Sequence, residues 1–200
     1  MSRRTFDSIV SSAGIVVALV LLVAGGLVLW GSSFVHNQVG DQLASQKIFF
    51  PPRGSDALTP EEYPGLQHYA GQQVVNGDQA AAYADQFIAK HLAAVADGKT
   101  YAEVSGAALQ NPDDEQLQAQ AQTLFRGTTL RGLLLNAHAF WTMGDVMEIV
   151  AIVLFVGGGV LTVMAGLGFW HAARAAALGS GSSRVRLVED EQSEERRRAA

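Results

Sequence analysis

The chain has 200 residues, of which 48% are hydrophobic and 16% are charged, with no cysteine and a formal net charge of −5. This composition excludes a disordered chain, a collagen-like chain and a disulfide scaffold. Lys and Arg number 14 against 19 acidic residues, and six of these bases lie in the last 27 residues, so no basic face remains for nucleic acid. The apolar residues are concentrated in two blocks, unlike the spread of a single globular core.

The first apolar block predicts a transmembrane helix. Residues 8–35 carry no ionisable side chain, and a helix from Ile9 to Trp30 would be roughly 33 Å long at 1.5 Å per residue, enough to cross a bilayer. Arg3 and Arg4 precede it, but the apolar stretch is longer than that of a cleaved signal peptide and no small-residue cleavage motif follows. We therefore predict an uncleaved signal anchor with a transmembrane helix over residues 9–33.

The second block is as long as the first. Residues 149–170 are free of charge and are followed by His171 and Arg174, which predicts a second transmembrane helix over residues 148–171. Cations cluster before the first block and after the second, so the positive-inside rule places both termini in the cytoplasm. The prediction is a multi-pass protein of the plasma membrane, in contact with the lipid bilayer.

The two spans predict an all-α membrane protein. Its two transmembrane helices flank a mainly helical extracytoplasmic domain. Residues 1–8 form the cytoplasmic N-terminus and residues 34–147 the extracytoplasmic domain. Residues 34–148 contain six Lys/Arg and 13 Asp/Glu, a local charge of −7 that suits an aqueous compartment. Residues 172–200 begin with small residues and end in a mixed-charge run, which predicts a disordered cytoplasmic tail.

Helix signals recur within the extracytoplasmic domain. The first helix is expected to continue beyond the membrane. Asp78 is the expected N-cap of a helix over residues 79–96, and Thr100 with Glu103 matches a capping box at the start of a short helix. A last helix is expected to begin near residue 115 and to continue into the second span.

Small residues form a stripe on each span, because positions seven apart lie on one side of a helix. The stripes predict close packing of the two helices, within the chain or between copies. The alternative is that Gly and Ala are simply common in spanning helices. The predicted packing residues are Gly14, Ala18, Gly25, Ala151, Gly158 and Ala165.

A polar stripe precedes the second span and is the main candidate site. Its members share one face of a continuous helix: Arg131, His138, Thr142, Asp145 and Glu148. Carboxylates beside a histidine near the membrane could bind a cation or relay protons. The alternative, which we favour, is the wet side of an amphipathic helix whose other side packs on the first helix through Leu133, Ala137, Phe140 and Gly144.

The sequence contains no pattern that assigns catalysis. The histidines show no ligand spacing, and neither a nucleophile elbow nor a phosphate-binding loop occurs. We predict no catalytic residue, no cofactor and no metal.

Several segments resemble a family of uncharacterised two-pass membrane proteins from actinobacteria, over roughly residues 10–170. The resemblance lies in Gln46–Pro51, Tyr69–Gly71, Ala82–Asp85, Gly98–Glu103, Phe125–Gly127, Thr129–Gly132 and Phe140–Trp141. It implies the two-span topology. Some members carry the label of an aromatic ring-opening dioxygenase, which implies non-haem iron held by two histidines and a carboxylate.

The residues for such an iron site would be His68, His91 and one of Glu61 or Glu62, but no sequence spacing supports them. We interpret the label as a misannotation. The leading hypothesis is a non-enzymatic structural, accessory or interaction subunit of the cell envelope, with a membrane protein partner or a homo-oligomer. The alternative is an extracytoplasmic ligand-sensing module that acts through a separate partner, and a dioxygenase-type enzyme comes third.

Overall fold

A computed structural model describes the backbone of residues 3–198 and the side chains of residues 5–174. Within these residues the fold is all-helical, and no strand occurs beyond an isolated bridge between Phe49 and Gln73. The elements are α1 (Arg3–Ser45), two 3-10 helices (Asp56–Leu58 and Pro64–Tyr69), α2 (Gly77–Ala82), a π-helical segment (Tyr83–Ile88), α3 (Ala89–Val95), α4 (Tyr101–Gln110) and α5 (Glu115–Arg198).

The chain divides into two compact units. The first unit comprises Met1–Val28 and Ile149–Ala200, and the second unit comprises Leu29–Glu148. Helices α1 and α5 are each long and apolar enough to span a membrane. Only 11% and 17% of their most apolar windows are buried within the chain. The core helix of a soluble protein would be mostly buried, so these two surfaces need another apolar environment.

Small residues lie between α1 and α5 in the first unit. A Cβ at Gly14 would lie 3.5 Å from the Cβ of Ala165, and one at Gly158 would lie 3.2 Å from the carbonyl oxygen of Ala18. Such spacing allows two helix backbones to approach closely, which favours helix pairing in lipid. The structure places all six residues of the predicted stripes on the facing sides: Gly14, Ala18, Gly25, Ala151, Gly158 and Ala165.

The C-terminal segment differs from its prediction. Helical backbone continues to Arg198, where the sequence analysis expected a disordered chain from residue 172. Ala, Arg, Leu and Glu make up most of this segment, and their high helix propensity outweighs the few Gly and Ser residues. Its side chains beyond residue 174, and residues 199–200 altogether, lie outside the described part.

The second unit has its own hydrophobic core. Phe50 lies at its centre, with its ring stacked on Tyr69 and edge-on to Tyr83, each at 5.1 Å between centroids. The two 3-10 helices and the α2–α3 region cover this ring with fully buried aliphatic side chains. These are Leu58, Leu66, Val74, Ala80 and Ala84. A smaller cluster joins α4 to the start of α5 through Ala96, Val104, Ala108, Ala121 and Leu124.

Helix α2 begins two residues earlier than predicted. Its N-cap is Asn76, whose side-chain oxygen accepts a hydrogen bond from the Gln79 N–H at 2.9 Å. The prediction of Asp78 as the cap was therefore wrong. Asn is as good a cap as Asp, and its position satisfies the backbone N–H three residues on. The carboxylate of Asp78 is thus left available for contacts with another helix.

The predicted capping box at the start of α4 is confirmed. The Thr100 hydroxyl accepts a hydrogen bond from the Glu103 N–H, and the Glu103 carboxylate accepts one from the Thr100 N–H at 2.7 Å. The hydrogen bonds from Thr100 hold the pKa of Glu103 below its ordinary value of 4.5. Because the pKa of Glu103 is lower in the folded state, its carboxylate stabilises the fold fully above pH 4.5. This stabilisation is lost as the pH falls through the folded-state pKa.

We predict that Glu103→Gln weakens α4 at neutral pH and that its difference from wild type shrinks as the pH falls below about 4.5. The amide keeps the side-chain length but lacks the charge. Backbone chemical shifts of α4 in detergent-solubilised protein would measure helix content across the acid range. A difference in helix content that stays constant throughout that range would contradict the stabilising role of the Glu103 carboxylate.

Candidate functional site

Helices α1 and α5 approach each other closely in the second unit at Gly144. A Cβ at Gly144 would lie 2.6 Å from Nε2 of His36, closer than real side chains pack. The Ser32 hydroxyl, which is buried, donates a hydrogen bond to the Gly144 carbonyl oxygen at 2.8 Å. A glycine at this position therefore lets an imidazole ring from α1 lie against the backbone of α5.

His36 is the centre of this contact. Its Nε2 lies 3.1 Å from a carboxylate oxygen of Asp145 and 3.2 Å from the carbonyl oxygen of Trp141. The imidazole and indole rings also pack together, with 4.3 Å between centroids. With a proton on Nε2, the ring can donate a hydrogen bond to either oxygen. The sequence analysis did not include His36 in the site, because more than 100 residues separate it from Trp141 and Asp145.

Two more members of the predicted polar stripe face carboxylates from the α2–α3 region. A guanidinium nitrogen of Arg131 lies 2.7 Å from the carboxylate of Asp85, which makes a hydrogen-bonded ion pair. Nδ1 of His138 lies 4.0 Å from the carboxylate of Asp78. The Asp78 carboxylate is too far away for a hydrogen bond, and both Nδ1 of His138 and Nε of Arg131 are buried without a hydrogen-bond partner among the described residues.

The remaining two stripe residues take no part in these contacts. The Thr142 hydroxyl donates to the carbonyl oxygen of His138, within its own helix. Glu148 is exposed. Among the described residues, no group of three or more His, Asp or Glu side chains is arranged to hold a metal ion. The structure thus distributes the stripe over three separate contacts.

The favoured interpretation of the stripe as the wet side of α5 agrees with only part of the structure. Thr142, Asp145 and Glu148 are exposed, whereas Arg131 and His138 are partly buried. Of the residues expected to pack on the other side, Gly144 lies against α1 and Ala137 packs against the core. Leu133 and Phe140 are instead 63% and 48% exposed. The stripe therefore lies at the margin of the packed surface of α5.

Trp141 fixes the orientation of α5 against α2. A side chain at Gly77 would overlap the indole ring of Trp141, so the first residue of α2 has to be glycine for the helices to meet this closely. The indole is half-buried and belongs to the margin of the core. Gly77 and Gly144 therefore allow the aromatic and imidazole rings between α1, α2 and α5 to pack.

The residues suggested by the dioxygenase label lie apart from this site. Lys90 Nζ lies 3.8 Å from the Glu62 carboxylate, and His91 is exposed on α3. His68 is exposed, with its ring 3.8 Å from that of Tyr69. These side chains make local contacts or face outward. Among the described residues, none of them belongs to a group of three or more His, Asp or Glu side chains that could hold a metal ion.

An open cleft of about 390 Å³ lies beside Glu62, Tyr63, Asp85 and Lys90. Its charged groups are already engaged, since Lys90 contacts Glu62 and lies 4.7 Å above the Tyr63 ring. Burial raises the pKa of Tyr63, so its phenol does not serve as a base near neutral pH. The charged side chains of the cleft are therefore already paired, which leaves few groups that could act as an acid or a base.

We predict that Gly144→Ala destabilises the second unit by about 1–3 kcal/mol, because the added methyl group displaces the His36 ring. Gly106→Ala in α4 is the matched control, since a Cβ there meets nothing within 4 Å. Alanine at this helical position should stabilise the protein by about 0.5–1 kcal/mol. Denaturant titration in detergent would measure both changes, and equal effects at the two positions would contradict the close contact at Gly144.

Comparison of the chain with protein-family models, with curated proteins and with solved structures found no match. The functional conclusion accordingly rests on the geometry of the chain.

Proposed function

We propose that this protein is a non-enzymatic membrane subunit with a structural, accessory or interaction role in the cell envelope. The observation that carries the proposal is the pair of long apolar helices whose surfaces are mostly uncovered by the rest of the chain. In water those surfaces would drive aggregation, whereas a lipid bilayer covers them at no cost.

The proposed topology places both termini in the cytoplasm and residues 34–147 outside. Aromatic side chains at the ends of the apolar stretches support the ends of the two spans, because Trp prefers the headgroup region on either side of a membrane. Trp30 is 69% exposed and stacks on Phe34, with 5.9 Å between ring centroids. In the first unit, the Arg174 guanidinium lies 5.5 Å from the ring of Trp170, a combination typical of the cytoplasmic interface.

An interaction role fits the second unit better than catalysis does. Arg131 and Asp145 of its polar stripe contact Asp85 and His36 on other elements, and such contacts hold the unit together. The charges of its open cleft are likewise paired within the chain, which disfavours the ligand-sensing alternative. A compact helical unit with its own hydrophobic core, anchored in the membrane, is suited to binding another protein.

Single cysteines test the topology, since the chain has no cysteine of its own. We expect Leu109→Cys, at a position that is 83% exposed in the second unit, to react with a membrane-impermeant maleimide in intact cells. Ser182→Cys in the tail should react only after the membrane is permeabilised. Both variants should stay in the membrane pellet after alkaline carbonate extraction.

Labelling of Ser182→Cys in intact cells would overturn the predicted orientation. Recovery of folded protein in the aqueous fraction without detergent would overturn membrane insertion itself. Leu109→Cys protein that reacts fully once cells are lysed serves as the control for reactivity of the thiol.

A further inference from the structure

A groove lies between α1 and α5 in the first unit, near the start of α1. It encloses about 680 Å³, within the range of roughly 300–1,000 Å³ that is usual for small-molecule sites. The helices meet there through small residues, since a Cβ at Gly168 would overlap the Ser11 hydroxyl. Larger apolar side chains complete the lining, and these are Phe6, Val10, Leu161 and Met164.

Three polar side chains also line this groove: Asp7, Ser11 and His171. Ser11 is only 6% exposed, and Asp7 is partly buried. Within the described part of the chain, none of the three side chains has a hydrogen-bond or ion-pair partner. Polar groups removed from water normally have partners, so these three are available to a ligand. The cleft beside Glu62 differs in this respect, because its charges are already paired.

The depth of the groove matches one leaflet of a bilayer. Under the proposed topology, Asp7 and His171 lie at the cytoplasmic headgroup level, where Trp170 is 61% exposed. From this level the groove extends along α1 to Gly14 and along α5 to Leu161, which is about 10–15 Å at 1.5 Å per residue. Half of a hydrocarbon core is about 15 Å thick. The polar end therefore lies among headgroups and the apolar remainder among acyl chains.

The polar end of the groove is complementary to a headgroup that carries both an amine and a phosphate. An ammonium group has three N–H donors and opposite charge to the Asp7 carboxylate, which favours short charge-assisted hydrogen bonds. A phosphate oxygen accepts a hydrogen bond from an imidazole N–H of His171 or from the Ser11 hydroxyl.

Other common headgroups fit this end less well. A choline group has no N–H to donate to Asp7. A headgroup with a phosphate and no amine would meet the like charge of the carboxylate. Sites for anionic lipids are instead formed by basic pockets on the cytoplasmic side. The charge pattern therefore favours phosphatidylethanolamine over phosphatidylcholine and phosphatidylglycerol.

We propose that the groove binds a phospholipid with a primary-amine headgroup from the cytoplasmic leaflet. The ammonium group binds Asp7, the phosphate accepts a hydrogen bond from His171, and one acyl chain lies in the apolar part beside Val10 and Met164. The site rests on the proposed function, because membrane insertion sets its depth and its leaflet.

Native mass spectrometry of the full-length chain in detergent tests the headgroup preference. The probes are phosphatidylethanolamine, phosphatidylcholine and phosphatidylglycerol with identical acyl chains, added in equal amounts. We expect the chain to retain phosphatidylethanolamine about tenfold more than either of the others, and Asp7→Asn to lose this preference, because a hydrogen bond to a charged group is replaced by a neutral one. Asp41→Asn is the matched control on α1, since Asp41 is exposed and lies outside the groove, and it should keep the preference.

Photo-cross-linking in vesicles tests the position of the lipid. Phosphatidylethanolamine with a photoreactive group on one acyl chain should label Leu161 and Met164 of the full-length chain. Val163 is the internal control, because it is 63% exposed but does not line the groove. Labelling at Met164 should fall about tenfold in Asp7→Asn. Circular dichroism of the variant would check its helix content.

Equal retention of the three lipids by the wild-type chain would overturn the proposal, as would an unchanged preference in Asp7→Asn or equal labelling of Val163 and Met164. A dimer of the chain that retains no lipid would assign the groove to a second copy and would also overturn it. Alkaline carbonate extraction is independent of headgroup preference. A wild-type chain that stays in the membrane pellet without this preference would therefore contradict the lipid site alone, whereas its release in folded form would contradict the proposed function.

Discussion

The close approach of α1 and α5 at Gly144 organises the second unit. The absence of a side chain there allows the His36 ring to lie against α5, where it reaches both Asp145 and the Trp141 carbonyl. Ser32 adds a buried hydrogen bond to the same glycine. These contacts join two segments more than 100 residues apart and fix their antiparallel register. Val39 and Leu43 of α1 and Leu134 of α5 belong to the same buried cluster as Phe50, so both helices contribute to the core of the unit.

That register determines which side of α5 faces inward. Leu134 of α5 is buried in the core of the unit, and Arg131, three residues earlier, pairs with Asp85 of the α2–α3 region. Both members of this ion pair are partly exposed, so the pair contributes only modestly to stability. Thr142, Asp145 and Glu148 remain exposed, which places the polar stripe at the margin of the packed surface.

Much of the fold could be predicted from local sequence. The length and lack of charge of residues 149–170 indicate a helix long enough to span a bilayer, and the spacing of Thr100 and Glu103 defines the start of α4, since both depend on residues close together in the chain. The five residues of the polar stripe were likewise recognisable as one face of a helix. The N-cap of α2 was not, because Asn76 and Asp78 are equally good caps in isolation.

Tertiary structure decided what those faces contact. Helical periodicity separates a polar side from an apolar side, but it contains no information on which of them a neighbouring element will cover. The answer came from Asp78, Asp85 and His36, which reach α5 from distant parts of the chain. The sequence by itself determined the helices and the two apolar stretches, because these follow from local spacing and composition. The contacts of Arg131 with Asp85 and of Asp145 with His36 depend on long-range packing, which only the folded chain supplies.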